Sequence, residues 1–192
     1  MKNVDRSNPM KPMILRHTLL LLATLPLLAG CLQYRSTGAM FDDQHIEVRV
    51  IDAIASSDQL DRSSHIKVEV YENVVLLMGE APTEAARNLA GDLAAEVDQV
   101  ERVVNEIEVM DRVGVGGKFS NSWLTGKVNT ALATENTLEG WDPHRIKVIS
   151  ARNTVYLMGN VSREEGDRVA EVVRNVRGVE KVVKVFNYQN EG

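Results

Sequence analysis

The sequence predicts an α+β protein of two tandem αββαβ modules, each a small three-stranded mixed sheet packed against two helices. Three observations predict it. First, the 192-residue chain repeats itself: Ile66-Lys67-Val68 recurs as Ile146-Lys147-Val148, and Leu77-Met78-Gly79 as Leu157-Met158-Gly159. Val100-Glu101-Arg102-Val103-Val104 likewise recurs as Val179-Glu180-Lys181-Val182-Val183. The matches keep their order and a nearly constant offset, which marks a duplicated structural unit. Second, the apolar period in each copy changes from helical to strand-like and back. Third, Val113-Gly114-Val115-Gly116-Gly117 separates the copies and reads as a hinge. No Lys-Ser/Thr follows these glycines, so they do not make a phosphate-binding loop.

The elements follow in order. Ile46, Val50, Ala53 and Ile54 fall at i, i+4, i+7 and i+8, as do Leu124, Val128, Ala131 and Leu132. That spacing gives one apolar helical face in each copy. Two short strands come next, at 66–71 and 74–78, and in the second copy at 146–151 and 154–158. Glu72-Asn73 and Arg152-Asn153 join them, and asparagine tolerates the positive φ of a two-residue hairpin. Gly79 and Gly159 read as strand ends. A second helix is predicted at 83–96 and 163–176, where Ser162 with Glu165 three residues on forms a capping box. A last strand closes each copy at 101–109 and 180–188. Helices on one face of each sheet would bury the alternating valines. A module this small buries only about 60% of its unfolded surface, so the two are expected to dock on each other.

The N-terminus carries an export signal. Lys2, Arg6, Lys11 and Arg16 precede an apolar run from Leu19 to Leu28, with small residues at its end. The run is too short to span a bilayer, which takes about 20 residues. It ends in Leu28-Ala29-Gly30-Cys31, which contains the chain's only cysteine. This ending resembles the lipobox of bacterial lipoproteins. The resemblance implies cleavage before Cys31, a diacylglyceryl thioether on its sulfur and an acyl chain on its new amine. Several acyl groups hold a protein stably at a membrane where one does not. Leu32, not an aspartate, follows the cysteine, and the resemblance then implies sorting to the outer membrane, facing the periplasm. An acylated Cys31 leaves no thiol for a disulfide, a redox centre or a metal. The expected organisation is a signal at 1–30, an acylated tether at 31–43, a first module at 44–110, a linker at 111–117 and a second module at 118–188.

The copies differ in charge. From Gln44 to Met110 there are five Lys/Arg against fourteen Asp/Glu, and from Lys118 to Tyr188 eleven against eight. An acidic module beside a basic one points to different partners. The mature chain has 18 Lys/Arg and 26 Asp/Glu, a balance that disfavours nucleic acid.

No catalytic constellation stands out. His17 leaves with the signal, and His45, His65 and His144 lack metal-ligand spacing. There is no nucleophile elbow, Walker motif or distinguishable carboxylate pair. The reading is a non-enzyme with no metal, no small-molecule substrate and no cofactor beyond the lipid on Cys31.

A surface is the better candidate. With Val128 at the centre of the core-facing stripe, Leu124, Ala131 and Leu132 lie within about 60° of it. Trp123 falls roughly 140° away, beside Lys127 and Thr130. The first copy has His45, Arg49 and Asp52 there. Tryptophan beside lysine suits a membrane interface, where the ring enters the headgroup boundary and the ammonium meets anionic phosphate. Trp141, in the longer loop after this helix, is a second candidate anchor. The lipid-contact set read from the sequence is Trp123, Lys127, Leu124, Thr130 and Trp141.

The element order, the strand ending in Leu-Met-Gly and the closing valine-rich strand resemble the BON domain of bacterial osmotic-stress and nodulation-related proteins. That family's glycine before the last strand is present as Gly178, and Gln99 stands there in the first copy. A lipobox followed by two such modules resembles the dual-BON-domain outer-membrane lipoproteins. The resemblance implies phospholipid association and support of envelope integrity, and brings no catalytic residues. The alternative is an adaptor that binds envelope-assembly proteins, with lipid contact incidental.

Overall fold

The computed structural model describes residues 37–60, 64–110, 122–134, 142 and 145–189, with side chains from Phe41 onward. The first module comprises α1 (Thr37–Ala55), β1 (His65–Tyr71), β2 (Val74–Ala81), α2 (Glu84–Ala95) and β3 (Arg102–Val109). The second comprises α3 (Ser122–Thr134), β4 (Ile146–Ala151), β5 (Thr154–Val161), α4 (Arg163–Arg174) and β6 (Lys181–Tyr188). Each sheet has its middle strand second in sequence, antiparallel to the strand before it and parallel to the strand after. This is the predicted αββαβ order, twice.

Local chemistry accounts for the joints. Both hairpin residues have positive φ in each copy, Glu72 at 46° and Asn73 at 63°, Arg152 at 45° and Asn153 at 62°. That geometry matches the right-handed twist of the flanking strands. Thr83 caps α2 by accepting from the Ala86 amide at 3.1 Å. Ser162 and Glu165 form the predicted capping box on α4, with bonds of 3.1 and 2.7 Å. The turn before the last strand uses left-handed backbone in both copies, at Gly178 (φ 106°) and at Gln99 (φ 72°).

Two expectations need correction. Gly79 and Gly159 do not end their strands, which run on to Ala81 and Val161. They sit opposite Ile66 and Ile146, where a Cβ at Gly79 would strike the His65 carbonyl and one at Gly159 would lie 2.8 Å from the Arg145 oxygen. The glycines admit the neighbouring backbone. The first module also begins earlier than residue 44. α1 starts at Thr37, and Asp43, assigned to the tether, is buried and accepts the Glu72 and Asn73 amides at 2.9 and 3.2 Å. The lipobox, Cys31, the tether as far as residue 36, the 111–117 linker and Trp141 lie outside the described residues.

Three cores result. Ile46, Val50, Val68, Val75, Leu77 and Ile107 fill the space between the helices and sheet of the first module. Leu124, Val128, Leu132, Val155, Leu157 and Val173 do the same in the second. The third core lies between modules: Tyr71, Leu76 and Met78 pack with Ile149, Tyr156, Met158 and Val185. Alternate residues of each strand point to opposite faces, so each sheet turns one face to its helices and the other to its partner sheet. The layers run helix, sheet, sheet, helix. This explains why every residue of β2 is buried. The expected docking of the modules is present, and it is face to face.

Charge closes the rim of that contact. Lys147 pairs with Glu69 at 2.7 Å and Lys181 with Glu106 at 3.0 Å. Arg152 pairs with Glu108 at 3.0 Å and with the buried carboxylate of Glu80. Arg102 runs the other way, donating to the Phe186 carbonyl at 3.0 Å, and the Tyr71 hydroxyl donates to the Arg145 carbonyl, also at 3.0 Å. Part of the acidic–basic asymmetry is therefore internal complementarity between the copies.

Candidate functional site

The site is built on α3. Its buried face presents Leu124, Val128 and Leu132 to β5 and α4, which fixes the rotation of the helix. That rotation turns Trp123 outward, and it is 68% exposed. The helical spacing predicted this orientation. Leu124 needs correction: it is 1% exposed and belongs to the core, one residue further round the helix. It supports the face from beneath and does not offer a lipid contact.

Lys127 is held in place. Its Nζ lies 4.2 Å from the centre of the Trp123 ring and donates to the Arg177 carbonyl at 2.7 Å. The first contact is a cation–π pair. The second braces the turn between α4 and β6. Arg49 makes the equivalent bond in the first copy, to the Asp98 carbonyl at 2.6 Å, and adds one to Gln99 Oε1 at 3.2 Å. A cation on the first helix of each module thus ties down the turn before its last strand. The ring of Trp123 lies over that turn, where a Cβ at Gly178 would stand 3.6 Å from the indole.

Thr130 is exposed on the same face, and its hydroxyl bonds back to the Gly126 carbonyl at 2.9 Å. Trp123, Gly126, Lys127, Thr130, Ala131 and Val176 together line an open groove. The sequence reading places Ala131 on the core-facing stripe and singles out neither Gly126 nor Val176, although a mid-helix glycine is a signal. Glycine costs about 1 kcal/mol relative to alanine inside a helix. A Cβ at Gly126 would meet nothing within 4 Å, so packing does not require it. The first copy has Val48 at this position, and it is exposed.

Chemically, the face offers an indole, an ammonium and a small apolar floor. Among the described residues no cluster of His, Cys, Asp or Glu has the geometry to hold a metal ion. No helix among them is long and apolar enough to cross a membrane.

The duplicated αββαβ fold defines the class, a tandem two-module protein whose second copy bears an exposed aromatic and basic face. Comparison gives the family: the model of the BON domain matches residues 42–111 and 120–190, and the chain belongs to that family. It is 38% identical to the 21 kDa hemolysin of Actinobacillus pleuropneumoniae over 154 residues, which cover 80% of this chain and 78% of the relative. It is 31% identical to the outer membrane lipoprotein DolP of Haemophilus influenzae, with the same coverage of both chains. The osmotically-inducible protein Y of Escherichia coli is 26% identical over 148 residues, covering 76% of this chain and 72% of that protein.

Proposed function

We propose that this chain is a non-enzymatic lipoprotein of the outer membrane, anchored through acylated Cys31 on the periplasmic face. Its second module contacts anionic phospholipid through Trp123, Lys127 and Thr130, with Trp141 as a further anchor, and so supports envelope integrity. The observation that carries this is the exposed Trp123 with the Lys127 ammonium over its ring. An indole left in water beside a fixed cation suits the headgroup boundary, where the ring is sheltered and the charge meets phosphate. The likeness to an outer membrane lipoprotein supports the compartment. The acyl anchor would raise the effective concentration of a weak lipid site.

The test uses the unacylated mature chain, because an isolated module would expose its inter-sheet core. In a Trp141→Phe background, vesicles of phosphatidylglycerol should shift Trp123 emission to the blue, and Trp123→Ala should weaken vesicle binding with little change in melting temperature. No shift together with unchanged binding would sink the membrane reading. Lys127→Glu is a weaker probe, since it also removes the brace on Arg177. Mass spectrometry of the native N-terminus tests the anchor independently.

One observation favours the adaptor reading. Phe41, Val48 and Ile51 are exposed on α1, and Ile51, Ile54, Leu60, Ile66 and Val68 line a groove beside the edge strand β1. An extended peptide adding to that edge would find both backbone and apolar partners.

A further inference from the structure

We propose that the groove between α1 and β1 of the first module seats one apolar side chain of a partner protein, with a lysine or arginine of the same segment meeting Glu47. The inference rests on the adaptor reading above and gives that partner a chemistry: an apolar anchor beside a cation, where a strand joining β1 would be read through its backbone alone.

Three observations carry it. First, the groove has the size of a side chain. Ile51, Ile54, Leu60, Ile66 and Val68 line a cavity of about 280 Å³, just under the range of about 300–1,000 Å³ typical of small-molecule sites. Ile51 is 44% exposed, so an incoming apolar group would shelter it. A few such anchors carry most of the energy of an interface. Second, the groove is closed at one end. The Lys147 ammonium of the second module donates to the Val70 carbonyl at 3.1 Å and pairs with Glu69, and Val70 is only 2% exposed. An added strand could not run the length of β1, so recognition falls to the pocket. Third, a carboxylate at the groove lacks a partner. Glu47 precedes Ile51 by one turn on the same side of α1, and it forms no ion pair among the described residues. Burial and the neighbouring Glu69 push its carboxyl above the ordinary value, and Lys147 and Lys67 offset them only in part. A cation brought by a partner would relieve it. The second copy has Thr125 and Asn129 where Glu47 and Ile51 stand, so both features belong to the first module alone. Asp58, exposed in the turn before Leu60, adds negative charge. Carboxylates here repel an anionic lipid and favour a cationic protein segment.

The experiment follows the methyl NMR signals of Ile51, Ile54, Leu60, Ile66 and Val68 in the unacylated mature chain. Three capped glycine–serine pentapeptides are titrated in turn, carrying leucine with arginine, leucine with glutamate, or serine with arginine. The leucine–arginine peptide should shift these methyls saturably, and bind several-fold tighter than either of the others. Ile51→Asn, which installs the residue of the second copy, should weaken that binding several-fold. Glu47→Gln should bring the arginine and glutamate peptides level while the melting temperature holds, since the carboxylate has no ion pair to lose. A clear fall in melting temperature in Glu47→Gln would make the carboxylate structural and overturn the proposal. Equal binding of the leucine–glutamate peptide to the parent would do the same, and so would phosphatidylglycerol vesicles that move the same methyls. If the leucine–arginine peptide binds but neither substitution alters it, this pocket is wrong and the adaptor reading stands on another surface. If none of the three peptides binds, both fall.

Discussion

The two modules are the same fold put to different ends, and their differences sort by direction. On the faces that meet, the copies have become complements: Glu69, Glu80, Glu106 and Glu108 of the first lie against Lys147, Arg152 and Lys181 of the second. On the outer face of the first helix they have become alternatives. His45, Val48 and Asp52 in one copy stand where Trp123, Gly126 and Thr130 stand in the other. Between these divergent faces, Arg49 and Lys127 do one structural job in both. A charge imbalance between repeats thus has two sources, docking and partner choice, and only residue positions distinguish them.

The largest effect should come from the core between the sheets. Leu76 is fully buried there, on the face of β2 away from its own helices. Leu76→Ala should cost about 2–5 kcal/mol, the range for leucine truncation in a packed core. Chemical denaturation should show one cooperative transition at lower denaturant, because the two modules share this core. Two separate transitions, with only one displaced, would show that the modules are independent.

Removing Arg152 comes next. Glu80 is buried and its carboxylate pairs with that guanidinium. Arg152→Ala leaves the carboxylate without this partner, a cost of about 1–3 kcal/mol. Glu80→Gln in the same chain should recover much of the loss, since it removes the stranded charge. Absence of recovery in the double mutant would mean that Arg152 acts mainly through the hairpin it belongs to, where its φ is 45°.

How much of this was legible in the sequence depends on periodicity. The duplication, the hairpins with Asn73 and Asn153 and the cap at Ser162 were readable because each is a local pattern with a local cause. The exposure of Trp123 followed from helical rotation alone. The partner of each sheet's second face was not readable. Tyr71, Leu76 and Met78 alternate with Val70, Val75 and Leu77 in a nearly continuous apolar run, and such a run says only that both faces are covered. The capping role of Asp43 was hidden for a similar reason, because its partners lie 29 and 30 residues away. Leu124 was misassigned among the lipid contacts although its spacing placed it near the core stripe. Gly126 carries a signal in its helical position, but that no packing contact requires it is visible only in the structure.

Acid should test the charged rim more gently. Burial pushes the Glu69 carboxyl up, but its bonds to Lys147 and Lys67 outweigh burial and hold it below its ordinary value. A carboxyl lowered in the folded state contributes stability above its unfolded pKa and loses it as pH falls through the folded one. Stability should therefore decline as pH drops below the ordinary carboxylate range, and Glu69→Gln should flatten part of that slope. An unchanged slope would remove this pair from the docking account. Tyr156, pushed up to about 12 by burial and by Glu106 and Glu108, should stay protonated and unreactive until strongly alkaline pH.

The smallest expected effect sharpens the comparison most finely. Gln99 holds a φ of 72° where the second copy has glycine. Left-handed backbone costs an ordinary residue roughly 1–2 kcal/mol. Gln99→Gly removes that strain, but glycine gives the unfolded chain more freedom, which offsets about 0.4–1 kcal/mol. It also deletes the exposed bond from Arg49 to Gln99 Oε1 while leaving the bond to the Asp98 carbonyl. The balance predicts a rise in stability of less than about 1 kcal/mol, read as a small upward shift in melting temperature. A clear fall would show that the glutamine side chain, through Arg49, holds this turn more firmly than its strain opposes it. The two copies would then fix the same turn by different means, the first with a side-chain bond and the second with a glycine roofed by tryptophan.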